Sequence, residues 1–225
     1  PTVTSFTSTT ADGSYKSADT VNITATVSET IVSGNTITVT LDTSDNVTLT
    51  AAANGTTLVG TYTVGAADTS SDLTVSSFSI GTVTDSAGNA MTSTTLPGTN
   101  IASGSAIIID TTVPTVTSFT STTADGSYKS ADTVNITATV SETIVSGNTI
   151  TVTLDTSDNV TLTAAANGTT LVGTYTVGAA DTSSDLTVSS FSIGTVTDSA
   201  GNAMTSTTLP GTNIASGSAI IIDTT

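Results

Sequence analysis

The heptapeptide Asp110-Thr111-Thr112-Val113-Pro114-Thr115-Val116 divides the chain into two copies of one sequence. Residues 1–112 and 114–225 are identical, and Val113 completes a period of 113. That period is too long for a solenoid unit of roughly 20–50 residues, but it suits an independent domain of about 100 residues. We therefore expect repeat 1 at 1–110, a short linker at 111–113 and repeat 2 at 114–225. The junction 110–116 holds one proline, Pro114, and no Gly-Ser run, which predicts a stiff joint.

Each repeat is rich in β-branched residues and alternates apolar with polar positions, a pattern typical of strands. The clearest example is Thr20–Val27, where Val21, Ile23, Ala25 and Val27 alternate with Asn22, Thr24 and Thr26. Seven strands, A to G, are expected at Thr2–Thr9, Thr20–Val27, Thr36–Leu41, Asn46–Ala51, Thr57–Val64, Leu73–Val83 and Ala106–Ile109. No segment has a helical period. The pattern predicts an all-β chain of two tandem seven-stranded antiparallel Ig-like sandwiches arranged end to end, with a closed barrel as the alternative.

The composition bears on the partners that the chain can have. Eighteen acidic residues against two basic ones give a net charge of −16, and His, Cys and Trp are absent. Such a chain has no basic patch for nucleic acid or for an anionic membrane surface. No apolar run reaches the ~20 residues of a membrane span, and we expect no membrane insertion. Without His or Cys, general acid–base catalysis would depend on carboxylates or tyrosine, so we expect no enzyme and no small-molecule substrate.

The nine acidic residues of a repeat all fall in loops or at strand ends. If the strands alternate up and down, most of these residues gather at the pole that holds the C-terminus: Asp12, Asp19, Asp42, Asp45, Asp68, Asp72 and Asp110. Glu29 and Asp85 lie at the opposite pole. The alternative is that these acids are solvated turn residues that serve solubility.

Stacking two repeats end to end would bring Asp110 of repeat 1 toward Glu142 and Asp198 of repeat 2. Carboxylates held that close repel each other unless a cation lies between them. Ca²⁺ accepts six to eight oxygen ligands in flexible geometry, whereas Zn²⁺ favours Cys and His, and Mg²⁺ prefers fewer protein ligands. We therefore predict one Ca²⁺ at Asp110, Glu142 and Asp198, with help from Asp12 or Asp68. The equivalent candidate ligands in the other copy are Glu29, Asp85, Asp125, Asp181 and Asp223.

Four motifs carry a resemblance to a known family. They are the opening Asp110-Thr-Thr-Val-Pro-Thr-Val, then Thr-Ala-Asp125-Gly-Ser-Tyr128-Lys129, Val140-Ser-Glu142 and Thr197-Asp198-Ser-Ala-Gly-Asn202. Over the whole repeat the sequence resembles the bacterial Ig-like repeats of giant RTX-type adhesins and, more loosely, the cadherin arrangement. It lacks the Gly-Gly-x-Gly-x-Asp nonapeptides of an RTX calcium roll.

The resemblance implies an extender region on the bacterial cell surface, stiffened by Ca²⁺ at each junction between neighbouring repeats, that projects a distal adhesive domain and supports adhesion or biofilm formation. The chain would then be a piece of a longer secreted protein. The alternative is a binding module for glycan or ice that uses an exposed threonine row such as Thr36, Thr38 and Thr40. Ordinary strand alternation with threonine outward also explains that row.

Overall fold

A computed structural model describes all 225 residues, Pro1–Thr225, and it confirms an all-β chain. The chain divides into two compact units, Pro1–Thr111 and Thr112–Thr225. The strands of the first unit are β1 Val3–Thr7, β2 Gly13–Tyr15, β3 Thr20–Ile31, β4 Thr36–Leu41, β5 Asn46–Thr50, β6 Gly55–Thr63, β7 Val75–Thr82 and β8 Ile107–Ile109. A short 3-10 helix, Ile101–Ser103, precedes β8.

The second unit repeats this order with one additional short strand. Its strands are β9 Val116–Thr120, β10 Gly126–Tyr128, β11 Thr133–Ile144, β12 Thr149–Leu154, β13 Asn159–Thr163, β14 Gly168–Thr176, β15 Thr182–Ser183, β16 Val188–Thr195 and β17 Ile220–Asp223, with a 3-10 helix at Ile214–Ser216 before β17. No helix is long and apolar enough to cross a membrane.

Most of each unit is one six-stranded antiparallel sheet, in the order β1-β3-β6-β5-β4-β7 in the first unit. The sheet is curled, and β5 and β6 share only the pair Thr50↔Val59. At this bend Gly60 lies so close to β5 that a Cβ there would be 2.6 Å from the Thr48 carbonyl oxygen. A side chain at this position would force β6 away from β5, so glycine permits the close approach.

The concave side of the curled sheet holds the hydrophobic core, and the period-two pattern predicts its residues correctly. On β3, Val21, Ile23, Ala25 and Val27 are all buried. The rings of Phe6 and Phe78 meet edge to face with centroids 5.5 Å apart. The second unit packs in the same way, with Phe119 against Phe191. These features are those of a β-sandwich domain, as the sequence predicts.

The strand pairing and one short helix differ from the seven antiparallel strands that the sequence predicts. Gly13–Tyr15, expected to be part of a turn-rich connection, forms β2, and β2 pairs parallel to β8. The expected strand G therefore joins a separate small sheet. The 3-10 helix is the second difference. The β2–β8 pairing joins residues 94 positions apart, which a local pattern does not report. The 3-10 helix is capped locally by Asn100 and Ser103 and is too short to show a helical period.

Candidate metal-binding residues

Glu29 and Asp85 lie at one end of the first unit because β3 is longer than predicted. The strand continues past Val27 to Ile31, which forms a bridge with Asp85. The backbone N–H of Val32 also donates to the Thr84 carbonyl oxygen at 3.0 Å. These contacts hold the end of β3, which carries Glu29, beside the turn that carries Asp85. We call this end, defined by Glu29 and Asp85, the N-terminal pole.

The turn at residues 85–89 orients the Asp85 carboxylate. Asp85 Oδ1 accepts from the backbone N–H groups of Ala87 (2.9 Å) and Asn89 (2.8 Å), and Oδ2 accepts from Asn89 Nδ2 at 2.6 Å. Gly88, at φ +89°, supplies the left-handed residue that closes the turn. The side-chain bond from Asn89, followed by its backbone bond, lowers the pKa of Asp85. The carboxylate is therefore held ionised and oriented, as a cation ligand requires.

The same pole of the second unit holds the copies Glu142 and Asp198, as predicted from the sequence. One carboxylate oxygen of each residue lies within 4.8 Å of the other. Two oxygens that share one Ca²⁺ at 2.3–2.6 Å can be at most about 5 Å apart, so this pair fits a shared ion. Asp198 is 3% exposed, and Asn202 donates to both of its oxygens, each at 2.8 Å.

Asp110 directly follows β8, and its copy Asp223 is the last residue of β17. The backbone N–H of Asp110 donates to the Tyr15 carbonyl oxygen at 2.9 Å, which fixes the chain direction there. Asp223 Oδ1 accepts from the N–H and the hydroxyl of Thr225, and these bonds lower the pKa of Asp223.

Asp68 and Asp181 lie in a network with a second carboxyl group. Asp68 Oδ2 accepts from the Tyr62 hydroxyl at 2.5 Å and from the Gly65 N–H at 2.6 Å. Burial opposes its ionisation, but these two bonds outweigh it, and the pKa of Asp68 is lowered. The neighbouring Asp68 carboxyl group, followed by burial, raises the pKa of Asp45.

The second unit repeats this network. There Asp181 has a lowered pKa, chiefly through the Tyr175 hydroxyl, and Asp158 has a raised one, through burial and then Asp181. Asp68 and Asp181 are thus already bonded within their own units.

Asp12 and Asp125 have a different location from the one expected. Asp12 Oδ1 accepts from the Ala106 N–H at 2.9 Å, and Asp125 Oδ1 does the same with Ala219. The parallel pairing of β2 with β8 sets Asp12 opposite Ala106, four residues before Asp110. At ~3.3 Å per residue this separates the two positions by roughly 13 Å. Asp12 therefore positions β8 and is not brought to Asp110.

Sequence reasoning missed the asparagines that support these carboxylates. Asn89 and Asn202 hold Asp85 and Asp198, and the spacing Asp-x-x-Gly-Asn is the signal that could have indicated this. Asn100 bonds both backbone groups of Val75, and nothing in the local sequence points to that contact.

Comparison with models of known protein families gives no match, and no curated protein shows significant similarity to this sequence.

Proposed function

We propose that this chain is a calcium-binding structural module in which tandem Ig-like repeats extend a bacterial surface adhesin. The proposal rests chiefly on one observation. In both units the N-terminal pole carries a Glu–Asp carboxylate pair, and in the second unit an oxygen of Glu142 and one of Asp198 lie within 4.8 Å of each other, a spacing that suits a shared Ca²⁺. Nothing else in the composition offers an equally specific chemistry.

Calcium suits this pair better than other common cations. Both side chains supply hard oxygen ligands, and the surrounding turn adds carbonyl groups. The two carboxylates of the pair need a cation because they repel each other at neutral pH. Extracellular calcium modules bind at roughly 10⁻⁴ to 10⁻³ M, a range in which external Ca²⁺ would fill the site.

The third carboxylate that we propose, Asp110, follows from the chain itself. It stands four residues before Pro114, where the next repeat begins. An ion held by Asp110 together with Glu142 and Asp198 would restrain the short linker. Such repeats, placed on the outside of a bacterial cell, would carry a distal adhesive domain away from the surface. The resemblance to adhesin repeats supports this role.

Calorimetric titration of Ca²⁺ into the two-repeat protein tests the metal claim. We expect binding that Glu142→Gln weakens by at least tenfold, because the variant loses one anionic ligand. Glu29→Gln, its copy in the first unit, is the matched control and should leave this binding unchanged. Absence of binding heat, or equal loss in both variants, would count against the proposed site.

A second candidate function has one observation in its favour. The register of β4 sets Thr38 beside Thr48 on β5 and beside Ser79 on β7, so hydroxyl groups form rows on the outer face of the sheet. Such a face could bind glycan or ice. A binding module should act as a single repeat without Ca²⁺, whereas an extender should bind neither ligand in glycan and ice-binding assays.

A further inference from the structure

Each repeat contains one Asn-Gly pair, Asn54-Gly55 and its copy Asn167-Gly168. Asn54 is exposed in the bend between β5 and β6. We propose that Asn54 and Asn167 are sites of spontaneous deamidation. This modification is independent of the calcium site.

The reaction needs only water and the neighbouring backbone. The backbone nitrogen of Gly55 attacks Asn54 Cγ, a C–N bond forms, and the Cγ–Nδ2 bond breaks. Ammonia leaves with the proton that Gly55 loses, and a five-membered succinimide remains. Water then opens the ring at either carbonyl and leaves aspartate or isoaspartate. Glycine favours the attack because it has no side chain to hinder its backbone nitrogen.

The other asparagines of the repeat provide an internal comparison. Asn22, Asn35, Asn46, Asn89 and Asn100 are followed by isoleucine, threonine, valine, alanine and isoleucine. Each of these side chains hinders the same attack. Asn35 is also only 6% exposed, and its Oδ1 accepts from the Thr84 N–H at 2.8 Å. We therefore expect Asn54 to deamidate faster than the other asparagines of its repeat.

The product would change one identifiable contact. Asn54 Oδ1 accepts from the Ser33 N–H at 2.8 Å, which ties the β3–β4 loop to the β5–β6 bend. Aspartate keeps that acceptor, whereas isoaspartate adds a methylene to the backbone and displaces it. Either product adds a negative charge near the N-terminal pole, because Ile31 pairs with both Gly55 and Asp85.

Peptide mapping by mass spectrometry after incubation of the folded two-repeat protein at mildly alkaline pH tests the proposal. We expect the peptide containing Asn54 or Asn167 to gain the mass of an amide-to-acid change several-fold faster than any other asparagine peptide. Because the two repeats give identical peptides, Asn167→Gln is used to observe Asn54 alone.

Gly55→Ala combined with Gly168→Ala is the matched variant. A methyl group on Gly55 would meet no atom within 4 Å, so the fold should tolerate it while the attack slows. Several-fold slower deamidation in this variant supports the proposal. Equal rates with and without the alanines, or an Asn54 peptide no faster than the others, would overturn it.

Discussion

At the residue scale, a few positions are held in conformations or charge states that their side chains disfavour. Ala18 and Ala131 adopt φ values of 72° and 70°, in the left-handed region that favours glycine. Asp45 and Asp158 each have a raised pKa, to which a neighbouring carboxyl group contributes. Both features occur in both repeats, so a change made in both copies should have twice the effect.

Replacing Ala18 and Ala131 with glycine should stabilise both units. An L-residue in the left-handed region costs about 1–2 kcal/mol, and glycine removes this strain. Glycine also loses more chain entropy on folding, which offsets about 0.5–1 kcal/mol of the gain. We expect a net gain of about 0.5–1 kcal/mol per unit in the free energy of urea unfolding. Ala67→Gly is the control, since Ala67 is exposed without a positive φ. A gain from the control equal to that of Ala18→Gly would contradict the strain.

Replacing Asp45 and Asp158 with asparagine should stabilise the protein at neutral pH. A carboxyl group with a raised folded pKa contributes stability below its unfolded pKa, near 3.8, and loses it as pH rises through the folded pKa. Wild type should therefore lose stability relative to the variant as pH rises above about 4. Both carboxyl groups are only half-buried, so solvent screens their interaction and the difference at pH 7 should be no more than about 1 kcal/mol.

Thermal melts between pH 3 and pH 7 measure the stability difference between wild type and the variant. The melts at the acid end of this range serve as the control. Toward pH 3, below the unfolded pKa near 3.8, Asp45 is mostly protonated in both states, and the melting temperatures should converge. A constant offset over the whole range would show that charge is not the cause.

At the element scale, the open edges of the curled sheet are closed by one segment. Thr99 bridges Ser5 on β1, and Asn100 bonds the backbone of Val75 on β7. Covering β-sheet edges in this way limits edge-to-edge aggregation. The same asparagine caps the 3-10 helix through the Ile101 N–H.

Asn100→Ala together with Asn213→Ala should destabilise the units by about 1–3 kcal/mol each, because the Val75 backbone groups lose their partners. Denaturant unfolding measures the loss. Asn46→Ala is the control, since Asn46 accepts one bond from Thr40 on the exposed face and should cost no more than about 0.5 kcal/mol. Equal losses would show that the edge contact is unimportant.

Strands with clean alternation could be predicted from the sequence, and elements fixed by distant contacts could not. Thr36–Leu41 was predicted at its observed limits, since each inward position is apolar. In contrast, Gly13–Tyr15 is too short to alternate and becomes a strand only by pairing with β8. For the candidate site, Glu142 and Asp198 were predicted together because strand polarity sets loop position. Asp12 was misplaced because the parallel pairing was not foreseen.

At the scale of the whole molecule, the main feature is the exact repetition of one domain sequence. Two identical units place the same carboxylates at the same positions, so every junction of a longer array would offer the same proposed ligands. If Asp110 comes close to Glu142 and Asp198 as proposed, these carboxylates repel each other without a cation, and salt screens them only beyond ~8 Å at physiological ionic strength. We therefore expect Ca²⁺ to control the order between repeats more than the fold of either one.

The most direct test compares the interdomain order of two variants, Asp110→Ala and Asp223→Ala. The order is measured by small-angle scattering or NMR, with Ca²⁺ and with chelator. Asp110 precedes a second repeat in this chain, and its copy Asp223 does not. We predict that Asp110→Ala abolishes the calcium-dependent ordering while both units stay folded, and that Asp223→Ala leaves it intact. Equal effects of the two substitutions, or identical curves with and without Ca²⁺, would contradict the proposed calcium-stiffened junction.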